Sequence, residues 1–111
     1  MKHYVIEELL KKEIASGITL RSVYLEKAMV TFVDFEEGAE VPVHSHPHEQ
    51  ISIVVSGRLL FTVDGEEREV NEGEVVLVPS AAEHGARAID GPARAYDCWN
   101  PLWEDYILDR G

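Results

Sequence analysis

The sequence has a single cysteine, Cys98, among 111 residues, so no disulfide can form within the chain. Long apolar runs are also missing: residues 53–55 and 75–79 are the longest, and both are far too short for a transmembrane helix. The first 13 residues are charged throughout and contain no apolar segment of the kind that a signal peptide has. These absences predict a cytoplasmic protein that folds in a reducing compartment.

Basic residues are scarce, with 10 Lys and Arg against 21 Asp and Glu and a formal net charge of −11. Nucleic-acid binding needs basic surface to displace counterions, and anionic membranes repel a chain of this charge. A small anionic substrate is not excluded, because surface charges are screened beyond about 8 Å at physiological salt. The sequence therefore predicts a small-molecule substrate, with neither nucleic acid nor membrane as a partner.

Short β-rich segments separated by turn residues fill most of the chain. Asp64-Gly65 lies between two alternating segments, which is typical of a two-residue type I′ hairpin turn. With 45% hydrophobic residues, the pattern predicts one all-β domain over residues 1–111, either a sandwich or a closed barrel. We expect a barrel core at about 18–100, an N-terminal strand or arm at 1–17 and a C-terminal tail at 101–111 that packs back. The apolar pattern of residues 1–12 fits either a helix or an edge strand.

Two histidines, His44 and His46, stand two residues apart, a spacing that puts both side chains on one face of a β-strand, roughly 6.5–7 Å apart. Gln50 follows four residues later, and His84 stands just after another predicted strand. Histidines on strands are often surface or core residues, but three imidazoles and an amide oxygen can also converge on a metal ion. Such donors suit one divalent transition metal ion, Ni, Zn, Fe, Mn or Co, better than Mg or Ca.

The predicted strand at residues 93–99 alternates small and polar side chains. Alternation puts Asp97 and Trp99 on the same face as two alanines, which leave room for a pocket. Asp97 is then either a general acid/base beside the ion or a structural aspartate, and Cys98 on the opposite face is interpreted as core filler. Arg87 is a candidate for the substrate pocket, although it and Arg94 also fit ion pairs or an interface.

These residues form two patterned segments that resemble the two motifs of the cupin superfamily over about residues 31–99. The first motif is roughly G-x5-H-x-H-x3-4-E-x6-G and the second roughly G-x5-P-x-G-x2-H-x3-N, and the matching positions here are Gly38, His44, His46, position 50, Gly57, Gly73, Pro79 and His84. The resemblance implies a single-domain double-stranded β-helix, or jelly-roll barrel. Three positions depart from the motifs: Gln50 replaces glutamate, Ala81 replaces glycine and Ala88 replaces asparagine.

The segments V-H-S-H-P-H-E-Q, H-G-A-R-A and D-C-W-N-P-L-W-E-D-Y are similar to small cupins of the pectin-degradation KdgF type. That resemblance implies conversion of unsaturated uronate to its open-chain keto form. The roles it implies are metal ligands at His44, His46, Gln50 and His84, an acid/base at Asp97 and an aromatic pocket wall at Trp99. Trp103 lies in the pocket region where the family has arginine, so either the substrate is not a uronate or another residue, such as Arg58 or Arg87, holds its carboxylate.

Other functions fit the same residues. An iron-dependent dioxygenase would use the same ligands to activate oxygen, and a non-catalytic cupin would bind a small molecule without converting it. Barrels of this kind commonly pair through edge strands, so we expect a homodimer in which the N-terminal strands are the candidates for contact.

Overall fold

Ten β-strands account for most of residues 1–108, the part of the chain that the computed structural model describes. In chain order they are β1 (Lys12–Ala15), β2 (Ile18–Tyr24), β3 (Met29–Phe35), β4 (Glu40–His44), β5 (Glu49–Ser56), β6 (Arg58–Val63), β7 (Glu66–Asn71), β8 (Val75–Val78), β9 (His84–Ala88) and β10 (Ala93–Asn100). Two short 3-10 helices, Ile6–Glu8 and Glu104–Tyr106, flank them. Within these residues no helix has the length and apolar character needed to cross a membrane.

The strands form two antiparallel sheets that enclose the core. One sheet has six strands in the order β1-β2-β3-β10-β5-β8, and the other has four in the order β4-β9-β6-β7. Their inner faces pack together through a cluster of buried aliphatic, aromatic and alanine side chains: Ile18, Leu20, Val33, Phe35, Val54, Leu59, Phe61, Val70, Ala86, Ala88, Ala93 and Ala95. The prediction of an all-β fold is confirmed.

Alternation along β5 shows how the sequence sets the two faces. Gln50, Ser52 and Val54 are buried, whereas Ile51 and Ile53 face outward and remain well exposed. Because side chains on a strand point alternately to opposite faces, one strand supplies both the polar floor of the site and part of an apolar outer surface.

The predicted hairpin turn at Asp64-Gly65 joins β6 to β7. Both residues have positive φ, 48° at Asp64 and 82° at Gly65, as a type I′ turn requires. At the N-terminus, residues 1–12 were expected to form either a helix or an edge strand, and the structure has neither along most of this segment. A 3-10 turn comes first, and β1 then begins at Lys12 as an edge strand.

Two sequence-based placements differ from the structure. His44 and His46 do not share a strand, because β4 ends at His44 and His46 lies in the connection to β5. The next residue, Pro47, has no backbone N–H to continue a ladder, which explains the break. Cys98 does face away from the pocket, as alternation requires, but that side is the outer face of the six-stranded sheet, where Cys98 is half-buried beside Ile51 rather than filling the core.

Candidate metal centre

Three histidines from separate parts of the chain meet at one end of the barrel. His44 ends β4 and His84 begins β9, and the two residues are partners in the register of these strands. His46 reaches the same place from the connection that follows β4. One ring nitrogen from each histidine lies within 4.8 Å of the other two, so the three side chains could hold a metal ion.

Backbone features around the histidines allow this convergence. A Cβ atom at Gly85 would lie 2.7 Å from the carbonyl oxygen of Val41, so only glycine lets β9 approach β4 this closely. The backbone N–H of Ala81 donates to the carbonyl of His46 at 2.8 Å and holds its loop in place. Ala81 has a φ of 66°, the left-handed region that favours glycine, which accounts for the glycine of the cupin motif at this position.

Each histidine is oriented by a backbone carbonyl. The Nδ1 atoms of His44 and His84 lie 2.9 Å from the carbonyl oxygens of Pro42 and Ala82, and Nδ1 of His46 lies 3.2 Å from that of His48. A carbonyl oxygen can only accept, so each Nδ1 carries the proton and each Nε2 keeps a lone pair. Metal-binding histidines are commonly held in this way.

The Nε2 atoms of His46 and His84 lie close to a third acceptor, the side-chain oxygen of Gln50. Nε2 of His46 lies 3.0 Å from Nε2 of His84 and 3.2 Å from Oε1 of Gln50. With both Nδ1 atoms protonated, none of these three atoms has a hydrogen to donate, so they repel one another unless a cation lies between them. The donor set therefore fits a transition metal ion.

Burial keeps these imidazoles in the neutral form that binds metal. The pKa of His46 is lowered from 6.5 to about 4, first by burial and then by the neighbouring histidines, of which His84 contributes most. Burial also lowers the pKa of His84, although the hydrogen bond to Ala82 opposes the shift. Both rings are thus neutral at physiological pH, without needing to lose a proton to a metal ion.

Asp97 provides an acidic group in the same cavity. It lies on β10 directly opposite Ser52 of β5 and lines the cavity with His44, Gln50 and His84. Burial raises the pKa of Asp97 from 3.8 to about 6, and a hydrogen bond with Ser52 partly opposes the shift. A carboxyl group with a pKa near neutrality can both give and take a proton at physiological pH, as general acid/base catalysis requires.

Aromatic side chains cover the histidines. Trp103 stacks on His48 with ring centres 4.9 Å apart and lies 4.7 Å from the ring of His46. Tyr106 also stacks on Trp103, and the hydroxyl of Ser22 donates to the backbone carbonyl of Tyr106 at 2.6 Å. The cavity beneath has a volume of about 60 Å³, enough for an ion and a little water but not for a sugar ring.

The structure brings most of the sequence-predicted residues together. His44, Gln50, His84, Asp97 and Trp99 line the cavity, and the Nε1–H of Trp99 donates to Thr31 at 2.9 Å. His46 joins them through Nε2, and Trp103 lies above them.

Arg87 is not brought to the cavity. It is exposed on the outer face of β9, beside Glu40 and Glu67, because alternation turns His84, Ala86 and Ala88 inward. Arg58, the other candidate for a substrate carboxylate, pairs with Asp90 at 3.0 Å, and Arg94 pairs with Asp34 and Glu7.

Three residues of the site did not stand out in the sequence as functional: Ser52, Tyr106 and His48. Ser52 has the same parity as Gln50 on an otherwise aliphatic strand, and this signal could have identified it. Tyr106 lines the cavity from a tail that was expected only to pack back. His48 is half-buried against Trp103, and its Nδ1 is buried with no hydrogen-bond partner.

Several known proteins are similar to this chain. A family model described as a cupin domain matches residues 31–99. The pectin degradation protein KdgF of Dickeya dadantii is 23% identical over 108 residues, covering 96% of this chain and 98% of that protein. The solved structure of KdgF from Halomonas sp. superposes with a TM-score of 0.90 at 27% identity, over 96% of this chain and 99% of that one.

A further similarity is to an uncharacterised HTH-type transcriptional regulator of Bacillus subtilis. It is 31% identical over 101 residues, which cover 90% of this chain. The chain spans only 33% of that protein's length.

Proposed function

This chain belongs to the cupin domain family, and from that membership and its site we propose that it is a metal-dependent enzyme acting on a small sugar-derived or carbonyl substrate. One observation carries the proposal. Nε2 of His46 and His84 and the amide oxygen of Gln50 converge without a donor among them, and the same cavity holds a carboxyl group with a pKa of about 6.

His44, His46, Gln50 and His84 would hold one divalent ion of Ni, Zn, Fe, Mn or Co. When bound, such an ion supplies Lewis-acid polarisation of a substrate oxygen, and four neutral donors leave its charge uncompensated. Asp97 would take a proton from the substrate and return it at another atom. Trp99 forms an apolar wall, and burial of the cavity limits exchange of that proton with water.

Within this class we propose the KdgF-type reaction, conversion of unsaturated uronate to its open-chain keto form. The reaction is an isomerisation: the ring opens, one proton leaves a hydroxyl oxygen and one proton arrives on a carbon of the double bond. A single acid/base group is sufficient for this transfer, and Asp97 is suited to it. The relatives from Dickeya dadantii and Halomonas sp. support the choice.

This chain differs from the KdgF-type site at the position that would bind the substrate carboxylate. Among residues 1–108, no Lys or Arg lines the cavity, and Trp103 stands where the similar small cupins have arginine. A uronate would therefore rely on the ion for electrostatic attraction. Sugar-derived carbonyl compounds without a carboxylate need no cation for binding, so the proposed substrate class includes them.

The test follows the ultraviolet absorbance of unsaturated galacturonate with protein whose metal content has been measured by elemental analysis. We expect the absorbance to decay faster with the protein than without it. His84→Ala and Asp97→Asn should each abolish the acceleration. The control is His3→Ala, which removes an exposed histidine outside the site and should leave the acceleration unchanged. Unchanged decay with metal-loaded protein would remove the uronate reaction, and a bound redox-inert zinc would count against an oxygenase.

A second candidate is non-catalytic binding of a small molecule. The cover formed by Trp103, Tyr106 and His48 and the similarity to a transcriptional regulator favour it. Calorimetric binding of a sugar acid by metal-loaded protein, with the compound recovered unchanged, would support this candidate over the enzyme.

We also propose that the protein is a homodimer, with a contact surface other than the N-terminal strands suggested by the sequence. Four exposed side chains, Ile51, Ile53, Val75 and Leu77, form an aliphatic face, with Ile51 opposite Leu77 and Ile53 opposite Val75. Exposed apolar patches of this kind mark interaction sites. A second copy is the proposed occupant, because a two-fold contact places the same apolar surface on both sides and removes both from water together.

A further inference from the structure

Gln50 has an amide whose two ends differ, and only one end can bind a metal ion. The oxygen is an acceptor with lone pairs, whereas the nitrogen carries two hydrogens and has none to offer. A free amide could rotate by half a turn and present either end to the histidines at little cost. Something must therefore hold the oxygen toward His46, from which it lies 3.2 Å.

The hydroxyl of Ser52 lies at the other end of this amide. Nε2 of Gln50 donates to Oγ of Ser52 at 2.9 Å, and both side chains are buried, Ser52 completely. If the amide rotated, its oxygen would face Oγ and its N–H groups would face the histidine lone pairs. The Ser52 proton could then satisfy the oxygen only by leaving Asp97, with which Ser52 also forms a hydrogen bond.

Counting protons shows that the three residues depend on one another. Ser52 has one hydrogen to donate and can accept from Gln50 through a lone pair. Its hydrogen is therefore available to Asp97, which faces Ser52 across β5 and β10. A glutamate at position 50 would have no hydrogen for Ser52 when ionised. Two carboxylates would then compete for the single hydroxyl proton, leaving one of them buried without a donor.

We infer that Ser52 is a positioning residue for the metal centre, which orients the Gln50 amide oxygen toward the ion and connects that ligand to Asp97. This inference rests on the proposed metal site but not on the uronate reaction. It also gives a physical reason for glutamine at position 50, where the cupin motif has glutamate: glutamine brings its own hydrogen to Ser52 and leaves the hydroxyl proton to Asp97.

The test measures Co²⁺ binding to the full chain by competition with a chromophoric chelator, together with the visible absorption spectrum of the bound Co²⁺. We expect Ser52→Ala to weaken Co²⁺ binding by about tenfold or more and to alter the spectrum, as loss of residues behind metal ligands typically does. Ser52→Thr retains the hydroxyl and should restore most of the affinity. Val54→Ala removes a buried core side chain further along β5, outside the lining of the cavity, and should lower stability without changing Co²⁺ binding.

A double-mutant comparison separates positioning from general destabilisation. If Ser52 acts through Gln50, Gln50→Ala should weaken Co²⁺ binding, and adding Ser52→Ala to it should cause no further loss. Additive losses, or a Ser52→Ala variant with the affinity and spectrum of the unchanged chain, would overturn the inference. Failure of the unchanged chain to bind Co²⁺ would overturn both the metal site and the inference, whereas failure on unsaturated galacturonate alone would leave both standing.

Discussion

The fold makes the negative charge of Asp97 costly. Its carboxyl faces the cavity from β10, and burial raises its pKa from 3.8 to about 6 although Ser52 contributes a hydrogen bond. The folded state therefore holds a proton that the unfolded chain releases at lower pH. Stability linked to this proton is fully present below about pH 4 and is lost as the pH rises through 6.

This linkage predicts a pH-dependent difference between the unchanged chain and Asp97→Asn, measured by urea unfolding in the presence of a metal chelator. Asparagine does not titrate, so the variant should gain stability relative to the unchanged chain as the pH rises from 4 to 8. The full change is about 3 kcal/mol, from a shift of about two pKa units. The chelator is needed because a nearby cation would favour the charged carboxylate.

The comparison over pH matters more than the stability at any single pH, because Asp97→Asn also changes the hydrogen bond to Ser52. That change is independent of pH and cancels in the difference. Asp90→Asn, which removes an exposed carboxylate paired with Arg58, serves as the matched control and should not show this profile. Parallel pH profiles for the unchanged chain and Asp97→Asn would contradict a raised pKa at Asp97.

The residues of the site differed in how well the sequence identified them. His44, His46 and His84 were found because ligand histidines follow a fixed spacing, and Gln50 because it occupies a motif position. Arg87 was assigned to the pocket although it lies three residues after His84, which puts it on the opposite face of one strand. Alternation shows which residues of a strand share a face. Which of the two faces is the inner one depends on how the sheets pack, and the local sequence does not determine that.

At the scale of elements, the 3-10 helix Glu104–Tyr106 and the residue before it form the cover of the site. Trp103 and Tyr106 stack on each other, and Ser22 fixes the backbone of Tyr106 to β2. A cavity of about 60 Å³ admits no sugar ring, so a substrate has to displace this cover or bind partly outside it. Trp103 thus restricts access to the site and adds no charge to it.

Replacing Trp103 with arginine should increase activity on unsaturated galacturonate. Arginine would supply the cation that the cavity lacks and can pair with a carboxylate through two parallel hydrogen bonds. We expect kcat/KM to rise about tenfold or more, which corresponds to about 1.4 kcal/mol of transition-state stabilisation. Initial rates from the loss of ultraviolet absorbance measure the effect.

Trp103→Gln is the control for that experiment, because glutamine removes the indole and opens the cover without adding charge. If both variants gained equally, access rather than charge would limit the reaction. If Trp103→Arg gained nothing over Trp103→Gln, a missing cation would not explain the departure at position 103, and a substrate without a carboxylate would be favoured.

Strands were easier to predict than the connections between them. Alternation and turn residues located β6 within residues 58–63 and the hairpin that follows, because both signals act over a few residues. The connection that carries His46 was wrongly assigned to a strand. Its path is held by hydrogen bonds from Ala81 and Ser80, which lie more than thirty residues away in the sequence. Contacts at such separation leave no periodic pattern in the sequence.

For the molecule as a whole, charge and apolar surface are unevenly distributed. The net charge is −11, yet four exposed aliphatic side chains lie side by side on β5 and β8: Ile51, Ile53, Val75 and Leu77. Tyr96 and Cys98 continue it across β10, opposite Ile53 and Ile51. The face lies at the β8 edge of the six-stranded sheet, opposite the β1 edge that the sequence suggested for pairing.

If a second copy covers this face, light scattering after size-exclusion chromatography should give twice the 12.5 kDa mass of one chain, and Leu77→Glu should give a monomer. The added carboxylates would be buried against an apolar surface in both copies without a partner, which is costly for each copy. Leu25→Glu places the same charge on an exposed leucine in the turn after β2 and should remain dimeric.

Cys98, the only cysteine, gives a second measurement, because the contact would cover it. Its alkylation should be slow in the unchanged chain and faster in Leu77→Glu. A dimer that survives Leu77→Glu, with Cys98 alkylated rapidly in both proteins, would favour contact through β1, and a monomeric unchanged chain would contradict the dimer altogether.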